Sequence, residues 1–99
     1  MMRIYQFELR VLLTTSQGMV VAEPLELKCL GGGSDALEAI TSLATEIKAG
    51  LEHGEPPYRE PSAELVDRWI SCRGGNGEAV TLKIWGVYDA PQVAATNSP

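Results

Sequence analysis

Three consecutive glycines, Gly31, Gly32 and Gly33, stand directly before a predicted helix, where they could form a phosphate-binding loop. Such a loop binds phosphate because its backbone N–H groups and the positive end of the helix dipole both face the anion. A P-loop also requires a lysine followed by serine or threonine, and no lysine lies between Lys28 and Lys48. Acidic residues already occupy the first helical turn and compete with an anion. We therefore interpret the glycines as the joint between a sheet and a helix.

The single histidine, His53, lies beside Glu52 and Glu55, an arrangement that could orient it as a general base. With Cys29 as the nucleophile, this set would define a small cysteine-dependent hydrolase. The alternative needs no function, because the helix dipole stabilises an exposed histidine near a helix C-terminus and a buried cysteine behaves as a small hydrophobic residue. The non-functional interpretation does not require Cys29 and His53 to lie close together, and we prefer it for that reason. The sequence therefore predicts no catalytic residue and a protein that is not an enzyme.

The remaining metal-ligating residues do not follow a metal-binding motif. The two cysteines, Cys29 and Cys72, lack the C-x-x-C spacing of a zinc site, and one histidine adds little to such a set. A metal-dependent hydrolase would need scattered carboxylates to converge, namely Glu8, Glu23, Glu26, Asp67 and Asp89. Carboxylates on strands usually face solvent, so the sequence predicts no metal and no cofactor. The two isolated cysteines are predicted to be free thiols in a reducing compartment.

Aromatic residues crowd the C-terminal half of the chain and are the candidate contact residues: Tyr58, Trp69, Trp85 and Tyr88. They could fill the core, which is a common role of large aromatic side chains. They could also form an interface, because aromatic residues are enriched at interface cores and exposed strand edges pair with other chains. The interface interpretation predicts a homodimer or a higher oligomer.

A sheet is needed to position these residues. Apolar and polar residues alternate over 5–13, which predicts a strand with one buried face. A turn joins it to a second strand at 19–22 and so forms a hairpin. Pro24 cannot donate to a ladder and marks a break or an edge, after which alternation over 25–29 predicts a short third strand.

One main helix begins after the glycines, with Ser34 or Asp35 as its N-cap. Its apolar residues recur at three- and four-residue steps, so one stripe packs on the sheet. The segment 64–72 fits two patterns, the alternation of a strand or a helical stripe capped by Ser62. We favour the strand, because a glycine-rich turn and a strand at 80–88 would then complete a hairpin.

The predicted fold class is α+β, an antiparallel sheet with one main helix packed on one face, in the order β-β-β-α-β-β. Residues 1–90 are assigned to a single domain, and the polar tail at 91–99 is predicted to be disordered. The net charge of −5 disfavours direct nucleic-acid binding and favours a basic protein partner. The absence of a signal-peptide core and of a long apolar run predicts a cytoplasmic protein that does not enter a membrane.

Several residues have an order and spacing typical of one family, over residues 3 to about 66. They are Gly18, Val20 and Val21, then Pro24, Leu25, Glu26 and Leu27, then Cys29, Gly33, Ser34, Asp35, Glu38 and Ala39, and finally Gly54, Glu55, Pro61 and Ser62. In these positions the chain resembles the HicB-type antitoxin family. It departs from that family where Leu27-Lys28 replace a proline-glycine pair and Ser34-Asp35 replace an acidic-threonine pair, so it would be a divergent member.

The resemblance implies a partial RNase H-like scaffold without nuclease activity, in a protein that oligomerises and masks a small basic RNase toxin. Many members carry a C-terminal DNA-binding segment, which the predicted strands and short tail do not resemble, so DNA binding is not carried over. The expected function is a non-catalytic protein-interaction module. The alternative is an orphan domain that binds a small ligand or serves as an oligomeric scaffold.

Overall fold

The computed structural model describes residues 1–54, 58–72 and 78–90, which form one antiparallel sheet and two helices. The elements are β1 (Met2–Ser16), β2 (Met19–Pro24), β3 (Gly31–Gly33), α1 (Ala36–Glu52), α2 (Ala63–Ser71) and β4 (Glu78–Asp89). The strands lie in the order β3-β2-β1-β4. The predicted α+β class, with one main helix packed on one face of an antiparallel sheet, is confirmed. The predicted turn at 73–77 and tail at 91–99 lie outside the described residues.

The first two strands form a hairpin with a two-residue loop. Ser16 pairs with Met19, and the loop residues Gln17 and Gly18 have φ angles of 53° and 76°. Two central residues with positive φ are typical of a type I′ turn, whose twist matches that of the flanking strands. The predicted hairpin is confirmed, and β1 extends beyond both ends of the alternation at 5–13.

The last strand, β4, pairs with β1 over its whole length. The ladder runs from Met2 opposite Asp89 to Leu13 opposite Glu78 without a change of register. The strand predicted at 80–88 is therefore confirmed, but it pairs with the first strand of the chain and not with the segment before it. Among the described residues β4 has a neighbour on one side only, so it is an edge strand.

The prediction of a strand at 64–72 was wrong, because this segment forms α2. Ser62 caps the helix, and its Oγ accepts a hydrogen bond from the backbone N–H of Leu65 at 3.1 Å. Leu65 and Trp69 are four residues apart, so they lie on one side of the helix and are buried together with Leu12. The observed order is β-β-β-α-α-β, and the helical alternative that Ser62 indicated is correct.

The third strand also differs from the prediction, since it consists of Gly31–Gly33 and not of residues 25–29. A Cβ at Gly31 would overlap the carbonyl oxygen of Ala39 and come 2.5 Å from the backbone nitrogen of Leu43. A Cβ at Gly33 would overlap the side chain of Glu38. The glycines therefore let β3 pack directly on α1. They do more than join the sheet to the helix, because a side chain at Gly31 or Gly33 would separate the two elements.

Two apolar clusters lie on opposite faces of the sheet. The main cluster joins β1 and β4 to α1 and includes Phe7, Leu9, Val11, Leu13, Ala39, Leu43, Ile47 and Ile84. The second cluster joins Leu12 to Leu25 and to Leu65 and Trp69 of α2, with Ala79 packed against it. This cluster reaches only one end of the β1–β4 ladder, so no helix of the described residues covers the other end of the same face.

Candidate protein-interaction surface

An exposed apolar surface lies on the sheet face opposite α1. We call it the outer face, and it consists of Met2 and Ile4 of β1 and Trp85 and Val87 of β4. Ile4 pairs with Val87, and Trp85 pairs with Gln6, so their side chains project from the same side of the sheet. The exposed fractions are 65% for Met2, 76% for Ile4, 68% for Trp85 and 41% for Val87. Contiguous exposed apolar residues of this kind are typical of a binding surface.

Of the elements in the described part of the chain, only α2 packs on this side of the sheet, and it covers only the far end of β1. There Leu12 is fully buried, and the guanidinium carbon of Arg10 lies 5.8 Å from the centroid of the Trp69 ring. Successive even positions of β1 continue the same row away from α2 and end at Ile4 and Met2. Around Ile4 and Tyr5 both faces of β1 thus carry large apolar side chains, and Tyr5 on the α1 side is half-buried whereas Ile4 is exposed.

Charged residues frame the outer face at both ends. The Lys83 Nζ lies 3.8 Å from Glu8 Oε1, and the N-terminal ammonium of Met1 lies 2.9 Å from Asp89 Oδ1. Lys83 and Asp89 stand at odd positions of β4, in the same row as the apolar residues between them. Both ion pairs are exposed, so they contribute little to the free energy of unfolding and are free to exchange partners.

The other side of the same two strands carries a row of aromatic rings. Tyr5 lies across Gly86, and its ring centroid is 6.0 Å from that of Tyr88 and 6.1 Å from that of Phe7. Phe7 in turn meets Tyr58 edge to face at 5.6 Å. Rings at these separations attract one another beyond their burial. The row holds β1 and β4 together and so supports the outer face from behind.

The structure does not bring the four aromatic candidates into one site. Trp85 lies on the outer face. Trp69 is 7% exposed and belongs to the second apolar cluster, where the core interpretation applies. Tyr88 is half-buried and Tyr58 is exposed, and both belong to the aromatic row on the α1 side.

Three residues of the outer face, Met2, Ile4 and Val87, were missed in the sequence analysis. A signal for them exists, because apolar residues stand at even positions near the start of β1 as well as at the odd positions that build the core. Such a strand is apolar on both faces at one end. Recognising the outer face also requires the partner strand, and the register of β4 against β1 is a long-range feature that alternation within one strand does not reveal.

Four of the five carboxylates considered as metal ligands are engaged in separate ion pairs. Besides the two pairs at the outer face, Arg10 Nε lies 3.1 Å from Glu26 Oε1, and Arg59 Nη2 lies 3.6 Å from Glu23 Oε2. The fifth carboxylate, Asp67, lies on α2. Within residues 1–54, 58–72 and 78–90, no group of three or more histidine, cysteine, aspartate or glutamate side chains is arranged to hold a metal ion.

The residues considered for nucleophilic catalysis lie in separate local environments. Burial, followed by the negative charge of Glu46, raises the pKa of the Cys29 thiol, which favours the neutral thiol over the reactive thiolate. The His53 Nδ1 lies 2.7 Å from the carbonyl oxygen of Ala49 at the end of α1. Both cysteines, Cys29 and Cys72, are free.

A polar cleft of about 290 Å³ lies beside the start of α2 and is lined mainly by charged residues, among them Glu23, Arg59, Glu64 and Arg68. The guanidinium of Arg59 donates to the carbonyl oxygens of Pro24 at 2.8 Å and Leu25 at 3.2 Å. This arginine therefore holds the end of β2 against the segment that leads into α2, which is a structural role.

The sequence matches no family model, and no curated protein and no solved structure resembles it closely enough to count as a match. The family resemblance proposed from residue spacing thus stays a prediction. In the part of the chain that is described, no helix is both long enough and apolar enough to cross a membrane.

Proposed function

We propose that this protein is a non-catalytic interaction module that binds a small basic protein, as an antitoxin of the HicB type binds an RNase toxin. The observation that carries the proposal is the outer face, where Met2, Ile4, Trp85 and Val87 are exposed together on a rigid pair of strands. A tryptophan among aliphatic side chains is the composition expected at the centre of a protein interface.

The charge of the chain supports a basic partner. The net charge is −5, so the average field of the protein attracts a basic protein and repels nucleic acid. Apolar contact on the outer face would supply affinity, and the net negative charge of the chain would increase the association rate with a basic protein. An RNase that binds the RNA backbone must present a basic surface, which gives the two proteins complementary potentials.

The mechanism is occlusion. Once an acidic protein covers the basic surface of an RNase, RNA can no longer reach it, and no chemical step on the antitoxin is required. Such a mechanism needs a preformed surface more than a catalytic group. The ladder between β1 and β4, together with the aromatic row of Tyr5, Phe7 and Tyr88 behind it, provides a preformed surface.

The test is reconstitution with the product of the neighbouring gene, since toxins and antitoxins of this family are normally encoded together. The purified partner should cleave RNA, and an equimolar amount of this protein should inhibit the cleavage. Ile4→Glu should weaken the inhibition roughly tenfold or more, because it places a charge in the centre of the outer face.

Leu37→Glu is the matched control, because Leu37 is equally exposed but lies on α1. It should leave inhibition unchanged. The proposal is wrong if the neighbouring gene does not encode a small basic protein. It is also wrong if Ile4→Glu inhibits the RNase as strongly as Leu37→Glu and the unaltered protein do.

A further inference from the structure

The backbone groups of β4 that do not bond to β1 belong to defined residues, and of these the Asp89 N–H donates to Glu52 Oε2 at 3.4 Å. Ala90 donates its backbone N–H to the carbonyl oxygen of Met1 at 2.7 Å, across the β1–β4 ladder. Strand N–H groups alternate in direction, and the register is constant, so even-numbered residues of β4 bond to β1 and odd-numbered residues point away from it. The outward groups thus belong to the residues whose side chains stand on the outer face, including Lys83, Trp85 and Val87.

We propose that β4 pairs antiparallel with β4 of a second copy of this chain, with Gly86 opposite Gly86 at the two-fold axis. In a symmetric pairing of this kind, facing residues must lie on the same face of the sheet, so only registers that pair odd with odd residues are allowed. In the proposed register Lys83 faces Asp89 of the second copy, and Trp85 faces Val87 of the second copy. The pairing joins two four-stranded sheets into one.

Charge selects this register among the allowed ones. The described part of β4 has two charged residues on its outer-face side, Lys83 and Asp89, and they have opposite signs. Centring the pairing on Gly86 brings each Lys83 opposite an Asp89. Centring it on Lys83 would bring the two like charges together, and centring it on Ile84 or Trp85 leaves both charged residues facing uncharged ones. Like charges directly opposite destabilise a strand pair, and opposite charges stabilise it.

The apolar side chains agree with the same register. Trp85 and Val87 would form two aromatic–aliphatic pairs across the two-fold axis, a combination that stabilises neighbouring strands. On the α1 side Gly86 itself carries no side chain, and within each copy the Tyr5 ring already covers it, so no side chain of residue 86 meets its counterpart at the axis. The existing partners of Lys83 and Asp89 are exposed, so a second partner from another copy can join each pair.

The pairing also extends the outer face. Ile4, Trp85 and Val87 of one copy would lie beside the same residues of the other, and the combined surface would be continuous across the axis. A larger surface would bind a basic protein partner more strongly, and this part of the inference rests on the proposed function. The pairing of the two copies does not depend on the proposed function.

The experiment is light scattering on the full chain, whose monomer mass is 10.7 kDa, over a concentration series. The unaltered protein should show twice the monomer mass at tens of micromolar. Lys83→Asp should shift it to the monomer, because the new aspartate would face Asp89. The double variant Lys83→Asp, Asp89→Lys should restore the dimer, since the charges are exchanged and remain complementary.

Glu8→Gln is the control, because it removes the partner of Lys83 within the chain and leaves the edge of β4 unchanged. It should stay dimeric. Val87→Pro removes an outward N–H without removing a bond to β1, and it should be monomeric with the far-ultraviolet spectrum of the unaltered protein. The inference is overturned if the unaltered protein is monomeric. It is also overturned if the double variant stays monomeric although both it and Lys83→Asp are folded. A monomer that still inhibits the RNase overturns the pairing and leaves the proposed function in place.

Discussion

The ring of Tyr5 lies across Gly86 of the neighbouring strand, so that a Cβ at residue 86 would come 2.6 Å from the Tyr5 hydroxyl oxygen and 2.9 Å from two of its ring carbons. The two residues are direct partners in the β1–β4 ladder. A glycine in a strand is thereby covered by an aromatic ring, which shields the backbone that glycine would otherwise expose.

Gly86→Ala should lower the free energy of unfolding by about 1–3 kcal/mol, because the added methyl group displaces the Tyr5 ring from its contacts with Tyr88 and Phe7. Urea unfolding followed by circular dichroism measures the change. In a Tyr5→Ala background the same substitution should cost much less, since no ring remains to be displaced. An equal cost in both backgrounds would show that the ring is not the cause.

Gly31→Ala should destabilise the protein by about 3 kcal/mol or more, because the new Cβ would overlap backbone atoms of α1 that cannot move separately. Gly32→Ala is the matched control on the same strand, where the nearest atoms lie 3.9 Å from the added Cβ. It should change the free energy of unfolding by no more than about 0.5 kcal/mol. Thermal unfolding of the two variants in parallel gives the comparison, and similar midpoints would contradict the close contact between β3 and α1.

Arg10→Met should lower the free energy of unfolding by about 1–3 kcal/mol, because it removes the hydrogen bond to Glu26 Oε1 at 3.1 Å and the cation above the Trp69 ring. It also leaves the Glu26 carboxylate without its cation, while Oε2 of that carboxylate is already buried without a hydrogen bond. Glu8→Gln, which breaks an exposed pair, should cost less than about 0.5 kcal/mol. Urea midpoints that fall equally in the two variants would mean that the Arg10 contacts are no stronger than those of an exposed pair.

Stability should fall at alkaline pH as the Cys29 thiol ionises. Burial raises the pKa of this thiol in the folded state, so the neutral form is favoured by folding. The contribution is fully present below the ordinary thiol pKa and is lost as the pH rises through the raised value. Cys29→Ala should therefore show a smaller alkaline decrease in unfolding free energy than the unaltered protein. Cys72→Ala should retain the full decrease, and a decrease that is identical in all three proteins would argue against the burial of Cys29.

Local patterns were sufficient to predict the hairpin and the main helix. The alternation in β1, the turn before β2 and the predicted cap at Ser34 or Asp35 each depend on residues close together in the chain. Of the two cap candidates Asp35 is the N-cap, and it accepts a hydrogen bond from Glu38 N at 2.8 Å. The segment 64–72 was misassigned because a short amphipathic segment fits both periods, and the choice depends on which surface it meets. Its surface is formed by Leu12 and Leu25, which are distant in sequence.

The outer face could not be predicted from local patterns for a related reason. Met2 and Val87 are near neighbours in space only because the first and last strands pair. The role of Gly31 was hidden in the same way, since what excludes a side chain there is the backbone of a helix turn several residues later. In both cases the missing information is the position of one element relative to another.

Because β1 lies between β2 and β4 in the sheet, we expect its two edges to be paired at different times during folding. Its pairing with β2 closes a two-residue loop, whereas its pairing with β4 requires residues 2 and 89 to meet. Local contacts form much faster than contacts between residues far apart in sequence, so we expect one edge of β1 to stay open after the hairpin has formed. During synthesis on the ribosome that edge stays unpaired until β4 emerges, and for this interval the nascent chain presents an apolar strand to any other strand nearby.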